Sequence, residues 1–179
     1  KLFIFLCLIY VCGIGNAEGL VIFAGIPPVA GIVKSIKTEG DLVEILIPPN
    51  TDPHTFDISP VVLEKLSRAD VFFHTRFPFE LKIAKALQEI KSNVHCVDVT
   101  RDIKWIEAGN IHHHSHAERE IEDEYIDLHC WLTPENIKII ARNILEELAK
   151  INESHQNEYQ NNFNQFLKRV EETDRVIRS

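Results

Sequence analysis

The sequence predicts an α/β fold: a parallel sheet covered by helices on both faces, followed by a long helix. Three observations lead there. Short runs of Val, Ile, Leu and Phe alternate with stretches whose apolar residues recur at helical spacing, the rhythm of strand–helix–strand units. The runs are nearly continuous rather than broken by polar residues, which suits strands buried on both faces. Prolines stand where helices would begin, at the position where a missing N–H costs nothing. A chain of 179 residues bounds the answer to about one domain.

Taken in order, Leu20-Val21-Ile22-Phe23-Ala24 is the first strand. Pro27 and Pro28 open a helix on which Val29, Ile32, Val33 and Ile36 share a face. Residues 42–47 form a second strand, stopped by Pro48-Pro49. Ser59 is an N-cap candidate for a short helix that starts at Pro60 and carries Leu63 and Leu66 on one side. Residues 69–73 are the third strand, residues 79–90 an amphipathic helix, and residues 94–99 the fourth strand. Residues 100–125 then make a long, polar, His-rich loop, and loops of that length without structure of their own are usually functional or disordered.

Thr133 and Pro134 cap and open the next helix, which runs to about Lys150 with Ile137, Ile140, Ala141, Ile144, Leu145 and Leu148 as its apolar stripe. A last helical pattern begins after residues 152–154 and reaches Ser179. Its apolar residues are sparse, so it needs something to lean on. No cap or breaker precedes Ser179, and the chain is therefore expected to end inside an element, as a piece of a larger protein.

Residues 1–17 read as a secretory signal peptide: a positive Lys1, an apolar stretch over residues 2–12, and a small-x-small site at Gly15-Asn16-Ala17. The stretch is short for a bilayer span. A retained membrane anchor is the alternative, and Val11 is a poor match to the small residue that usually precedes a lipidated cysteine such as Cys12 would be. Cleavage removes Lys1 and moves the formal net charge from −8 to −9. An acidic chain without a Lys/Arg tract is a poor nucleic-acid binder, so no nucleic-acid partner is expected. Cys96 and Cys130 survive cleavage without zinc-ribbon spacing. An oxidising compartment would let them pair only if folding brings them close.

Histidines carry the chemistry. His54 lies in Asp52-Pro53-His54-Thr55-Phe56 and His129 in Asp127-Leu128-His129-Cys130-Trp131, two similar contexts far apart in the chain. His54 follows the second strand, and ligands of open parallel sheets gather beyond the carboxyl ends of the strands. His129 precedes a helix and can reach the same edge, where Asp52 and Asp127 would orient the imidazoles. The spacing leaves open a joint site or two unrelated loop histidines. Between them stand His112, His113, His114 and His116, a short tract of the kind that chelates metals without a preformed fold. The acidic residues that follow read as a solvated face. His74 ends the third strand and reads as a structural histidine, while His95 and His155 are given no role. Trp105 and Trp131 read as packing residues. Phosphate-binding glycine loops, Gly-x-Ser-x-Gly elbows and His-Glu-x-x-His are absent, so no enzyme activity is expected.

With these residues in view, the sequence resembles the solute-binding proteins of bacterial zinc and manganese ABC importers. The resemblance runs through Ile26-Pro27-Pro28-Val29-Ala30-Gly31, Gly40-Asp41-Leu42-Val43-Glu44, residues 47–56 around Asp52-Pro53-His54, and Asp127-Leu128-His129-Cys130-Trp131-Leu132-Thr133-Pro134. It implies a fold of two α/β lobes joined by a long helix, with metal held between the lobes. It implies His54 and His129 as metal ligands, with the remaining ligands supplied by a C-terminal lobe that this chain lacks. The His-rich loop, about residues 109–125, is typical of zinc-type members and supplies accessory metal positions at His112, His113, His114 and His116.

The implied organisation is a signal peptide over 1–17, an N-terminal lobe over 18–153, and the start of the interlobe helix over 154–179. Leu128 stands where Pro is usual, and Cys130 where a small apolar residue is usual. The implied cargo is Zn²⁺, with Mn²⁺ or iron as the alternative, and the implied partner is an ABC permease in the cytoplasmic membrane, with the protein in the periplasm. A metal-dependent adhesin of the same fold and a secreted zinc hydrolase are the competing classes. The hydrolase needs a general base beside a metal-bound water, and no residue nominates itself.

Overall fold

The computed structural model describes residues 19–48, 50–57, 59–90, 92–105 and 126–179. The signal-peptide assignment for residues 1–17 and the histidine tract at His112, His113, His114 and His116 lie outside the described residues.

Among the described residues four strands, β1 (Val21–Ala24), β2 (Leu42–Ile45), β3 (Val71–His74) and β4 (His95–Asp98), form one sheet in the order β2-β1-β3-β4. Every pairing is parallel. Five α-helices accompany them among the described residues: α1 (Pro27–Ile36), α2 (Pro60–Leu66), α3 (Pro78–Glu89), α4 (Pro134–Ile151) and α5 (Gln156–Arg178). The chain steps outward from β1 to β2 through α1, then back across β1 to β3 through α2, then on to β4 through α3. Right-handed crossovers place α1 on one face and α2 and α3 on the other. The ammonium of Lys65 on α2 lies 5.7 Å from the Phe23 ring, which marks the face of β1 turned toward α2. Helices α1, α4 and α5 pack mutually on the opposite side.

The sequence pattern explains the order of burial. The central strands are the near-continuous apolar ones: Ile22, Phe23 and Ala24 of β1 and Val71, Phe72 and Phe73 of β3 are all buried. β2 lies at the edge, and its Leu42 and Ile45 are exposed although the run looks as apolar as the others. It also stops at Ile45, two residues before the apolar run ends; Leu46 and Ile47 bend inward and are buried. The predicted N-caps are present at α2 and α4, where the hydroxyls of Ser59 and Thr133 accept from the N–H groups of Val62 and Asn136. The apolar stripe of α4 is buried from Ile140 onward, and Ile137, nearest its start, is half-buried. α5 buries only Tyr159 and Phe163, near its start, and leaves Val176 and Ile177 exposed near its end. No helix among the described residues is long and apolar enough to cross a membrane.

Polar groups tie the ends of the sheet. The buried Asp41 carboxylate accepts from the N–H of Leu20 at 2.9 Å and of Thr38 at 2.9 Å, fastening the start of β1 to the turn before β2. Asn162 of α5 donates to the carbonyls of Ile36 and Lys37, which caps the end of α1.

Candidate metal centre

The strand order reverses between β1 and β3, and the crevice beyond their carboxyl ends is where open α/β sheets bind ligands. Two short turns converge there. In the first, the Asp52 side chain accepts from the N–H of His54 at 2.9 Å. In the second, the Asp127 side chain accepts from the N–H of His129 at 3.0 Å. Both are Asx turns, in which a carboxylate folds onto the N–H two residues ahead. The recurrent Asp-x-His pattern thus has a local physical cause: each aspartate sets the backbone that presents its histidine.

The His54 and His129 rings are 5.7 Å apart between centroids. Two imidazoles sharing one zinc at about 2.0–2.1 Å per bond would stand about 5–6 Å apart by this measure. Nδ1 of His129 is 2.8 Å from Asp127 Oδ1. That bond directs Nδ1–H to the carboxylate and leaves Nε2 as the free lone pair, the tautomer a ligating histidine needs. The hydrogen bonds from His129, its backbone N–H first and its ring second, hold the Asp127 carboxyl below the usual carboxylate range. Both histidines are solvent-exposed, so an ion can reach them from outside the sheet.

Beneath the pair lies an aromatic floor. The Phe77 ring is 5.2 Å from His54 in an edge-to-face contact and 6.4 Å from His129. Trp131 stands 5.3 Å from His129 and 6.1 Å from Phe77. Phe79 and Phe56 continue the cluster away from the site. Trp131 therefore packs, as expected, but it packs directly on a candidate ligand.

Sequence reasoning missed this floor and what supports it. α3 starts at Pro78 and not at Phe79, with Phe77 as its N-cap residue. Glu80, fully buried, turns its carboxylate back to accept from the N–H of Thr75 at 2.8 Å, the hydroxyl of Thr75 at 3.1 Å and the N–H of Phe77 at 2.9 Å. Burial pushes this carboxyl up to about 7, against the opposing pull of those three hydrogen bonds. The available signal was Glu80 itself, an acid at the third position after a Pro-opened helix start.

The remaining expectations fall as follows. His74 is buried at the end of β3, and burial lowers its pKa, which suits a neutral structural histidine. Cys96 and Cys130 are both free thiols and do not pair. Burial pushes the Cys130 thiol up to about 12, which disfavours the thiolate form that binds metals. Among the described residues, no group of three or more His, Cys, Asp or Glu side chains stands close enough to hold a metal ion. Of the expected ligands among the described residues, His54 and His129 come together.

Comparison with known proteins bears on this arrangement. A family model described as ZnuA, zinc-uptake complex component A, periplasmic, matches residues 22–179. A metal ABC transporter substrate-binding lipoprotein of Lactococcus lactis is 25% identical over 157 residues, which cover 84% of this chain and 47% of that protein. An iron ABC transporter substrate-binding lipoprotein, MtsA, of Streptococcus pyogenes is 26% identical over 161 residues, covering 84% and 48%. Among solved structures, a zinc-bound crystal structure of a ZnuA deletion mutant is similar with a TM-score of 0.76 at 26% identity, over 89% of this chain and 57% of that one. The chain thus spans about half the length of the relatives it matches.

Proposed function

The chain belongs to the zinc-uptake complex component A family, a family of solute-binding proteins rather than enzymes, and from that premise we propose that it is the N-terminal lobe of a protein that captures zinc outside the cytoplasmic membrane and delivers it to an ABC permease. In this reading residues 1–17 are the signal peptide, residues 18–153 the lobe, and residues 154–179 the start of the helix that joins a second lobe. His54 and His129 are the lobe's metal ligands. The observation that carries the proposal is their 5.7 Å separation at the switch point of the sheet, with His129 held by Asp127 in the ligating tautomer. Residues of the second lobe or water complete the coordination, since zinc takes four ligands.

The histidine tract at His112, His113, His114 and His116 is an accessory that gathers zinc without belonging to the main site. Its deletion is expected to leave the affinity of the His54–His129 site nearly unchanged and to lower the total zinc bound. Manganese or iron is the second reading of the cargo, favoured by a relative that is named for iron. Imidazole suits zinc and iron, and oxygen ligands suit manganese, so the second lobe's ligands decide between them. The test is competitive titration of Zn²⁺, Mn²⁺ and Fe²⁺ into the protein and its His54→Ala and His129→Ala variants. Zinc is expected to bind most tightly and to lose at least about tenfold with either variant, in keeping with loss of a metal ligand. Zinc binding indifferent to both substitutions would reject the site.

A further inference from the structure

We propose that Glu80 is a positioning residue for the metal site: it clamps the turn between β3 and α3 and so holds the Phe77 ring against His54 and His129. The inference rests on reading those two histidines as ligands.

The turn is strained at one residue. Arg76 has φ of 75°, in the left-handed region that a long side chain rarely adopts. The residues on either side of it, Thr75 and Phe77, are the ones whose N–H groups donate to Glu80. A single carboxylate oxygen, Oε2, accepts both amides and the Thr75 hydroxyl. Three bonds on one atom therefore span the strained residue and hold its neighbours in place. Phe77 leaves this clamp with its ring edge-to-face against His54. Without the clamp, Arg76 relaxes toward negative φ and swings the Phe77 ring off the two imidazoles.

The other carboxylate oxygen shows that the placement is built. Oε1 of Glu80 is buried without a hydrogen-bond partner among the described residues. It rests against Gly25, at the carboxyl end of β1, where a Cβ would come within 1.7 Å of it. Gly25 does not have a positive φ, so its backbone is open to alanine. What keeps this position bare is the room the carboxylate needs. Gly25 and Glu80 form one lock across the crevice between β1 and β3.

The test uses the full chain with Zn²⁺ as the probe. Glu80→Leu removes the acceptor, Glu80→Gln keeps one acceptor oxygen, and Gly25→Ala pushes the carboxylate off its seat. Leu148→Ala, in the core of α4, is the control for lost stability alone. Each is read at a temperature where the variant is folded, by zinc affinity and by the ring-proton NMR shifts of His54 and His129 without metal. Glu80→Leu and Gly25→Ala are expected to weaken zinc by about tenfold and to move both ring signals. Their effects should not add, since they break the same lock. Glu80→Gln should stay within about threefold of the parent. Should Glu80→Leu fail to fold, Gly25→Ala carries the same comparison. Affinity and ring shifts that match the Leu148→Ala control would overturn the proposal. The ring shifts judge Glu80 even if zinc binding proves independent of His54 and His129, which would reject the metal site alone.

Discussion

His129 is held by two bonds to one carboxylate and His54 by one, so the two imidazoles depend unequally on their aspartates. Asp127→Ala is expected to lower zinc affinity by about 10-fold or more, and Asp52→Ala by less, because only Asp127 also fixes a ring tautomer. Competition with a chromophoric chelator would measure both, and equal losses would contradict the argument. Asp127 should keep its bonds to His129 further into acid than an ordinary aspartate would, because those bonds hold its carboxyl below the usual range.

Glu80 titrates in the opposite sense. Its carboxyl rises from 4.5 to about 7 on folding, so the folded state binds the proton more tightly than the unfolded state. Its contribution to stability is therefore present in acid and declines as pH rises from about 4.5 to about 7. Glu80→Gln should remove that decline. The stability difference between parent and variant should then swing toward the variant over this interval, by on the order of 3 kcal/mol. Urea unfolding of both proteins across the interval measures it, and parallel pH profiles would show that Glu80 does not titrate there. The lowered pKa of His74 acts in the other direction, costing stability as pH falls below 6.5, but it is common to both proteins and cancels in the difference.

Among the elements, α4 begins directly after the turn that carries His129 and Trp131. Thr133 ends that turn and caps the helix, its hydroxyl accepting from the N–H of Asn136 at 3.3 Å. Thr133→Ala should cost about 1 kcal/mol of stability, read as a lower urea midpoint with an unchanged slope. A change in slope would mean the turn itself had opened. The caps at α2 and α4 were readable as Ser-Pro and Thr-Pro steps because capping depends on adjacent residues alone. The start of α3 was misplaced by one residue, because Phe77 carries no side-chain acceptor. The cap there comes from Glu80 reaching backward, an interaction that depends on where the preceding strand ends.

At the scale of the whole molecule, the proposed site has two protein ligands, half of the four that zinc takes. Fully ligated structural sites reach about 10–16 kcal/mol of apparent binding energy. This chain alone should bind zinc only in the micromolar range or more weakly, roughly −8 kcal/mol or less favourable. Titration calorimetry at two pH values would check it. Nanomolar binding that ignores pH would mean the lobe holds a complete set of ligands.

The strands, the helices and their alternation were legible in the residues, because apolar periodicity and proline placement act over a few neighbours. Asp52 and Asp127 were expected to orient the imidazoles; Asp127 does, whereas Asp52 folds onto the backbone N–H of His54. That His54 and His129 meet at one edge was one of the two readings the residues left open, and packing decided it. They are separated by the full sweep of the sheet, and only the order β2-β1-β3-β4 brings their turns to one crevice. The same distance hid the exposure of β2, since an apolar run reads alike at the edge and at the centre until its neighbours are known. It hid the lock between Gly25 and Glu80 as well, where a glycine on one strand is explained by a carboxylate on a helix that follows another. Local chemistry wrote the elements and the turns into the sequence. The site, which is built from residues far apart along the chain, exists only once packing has chosen which ends of the strands stand together.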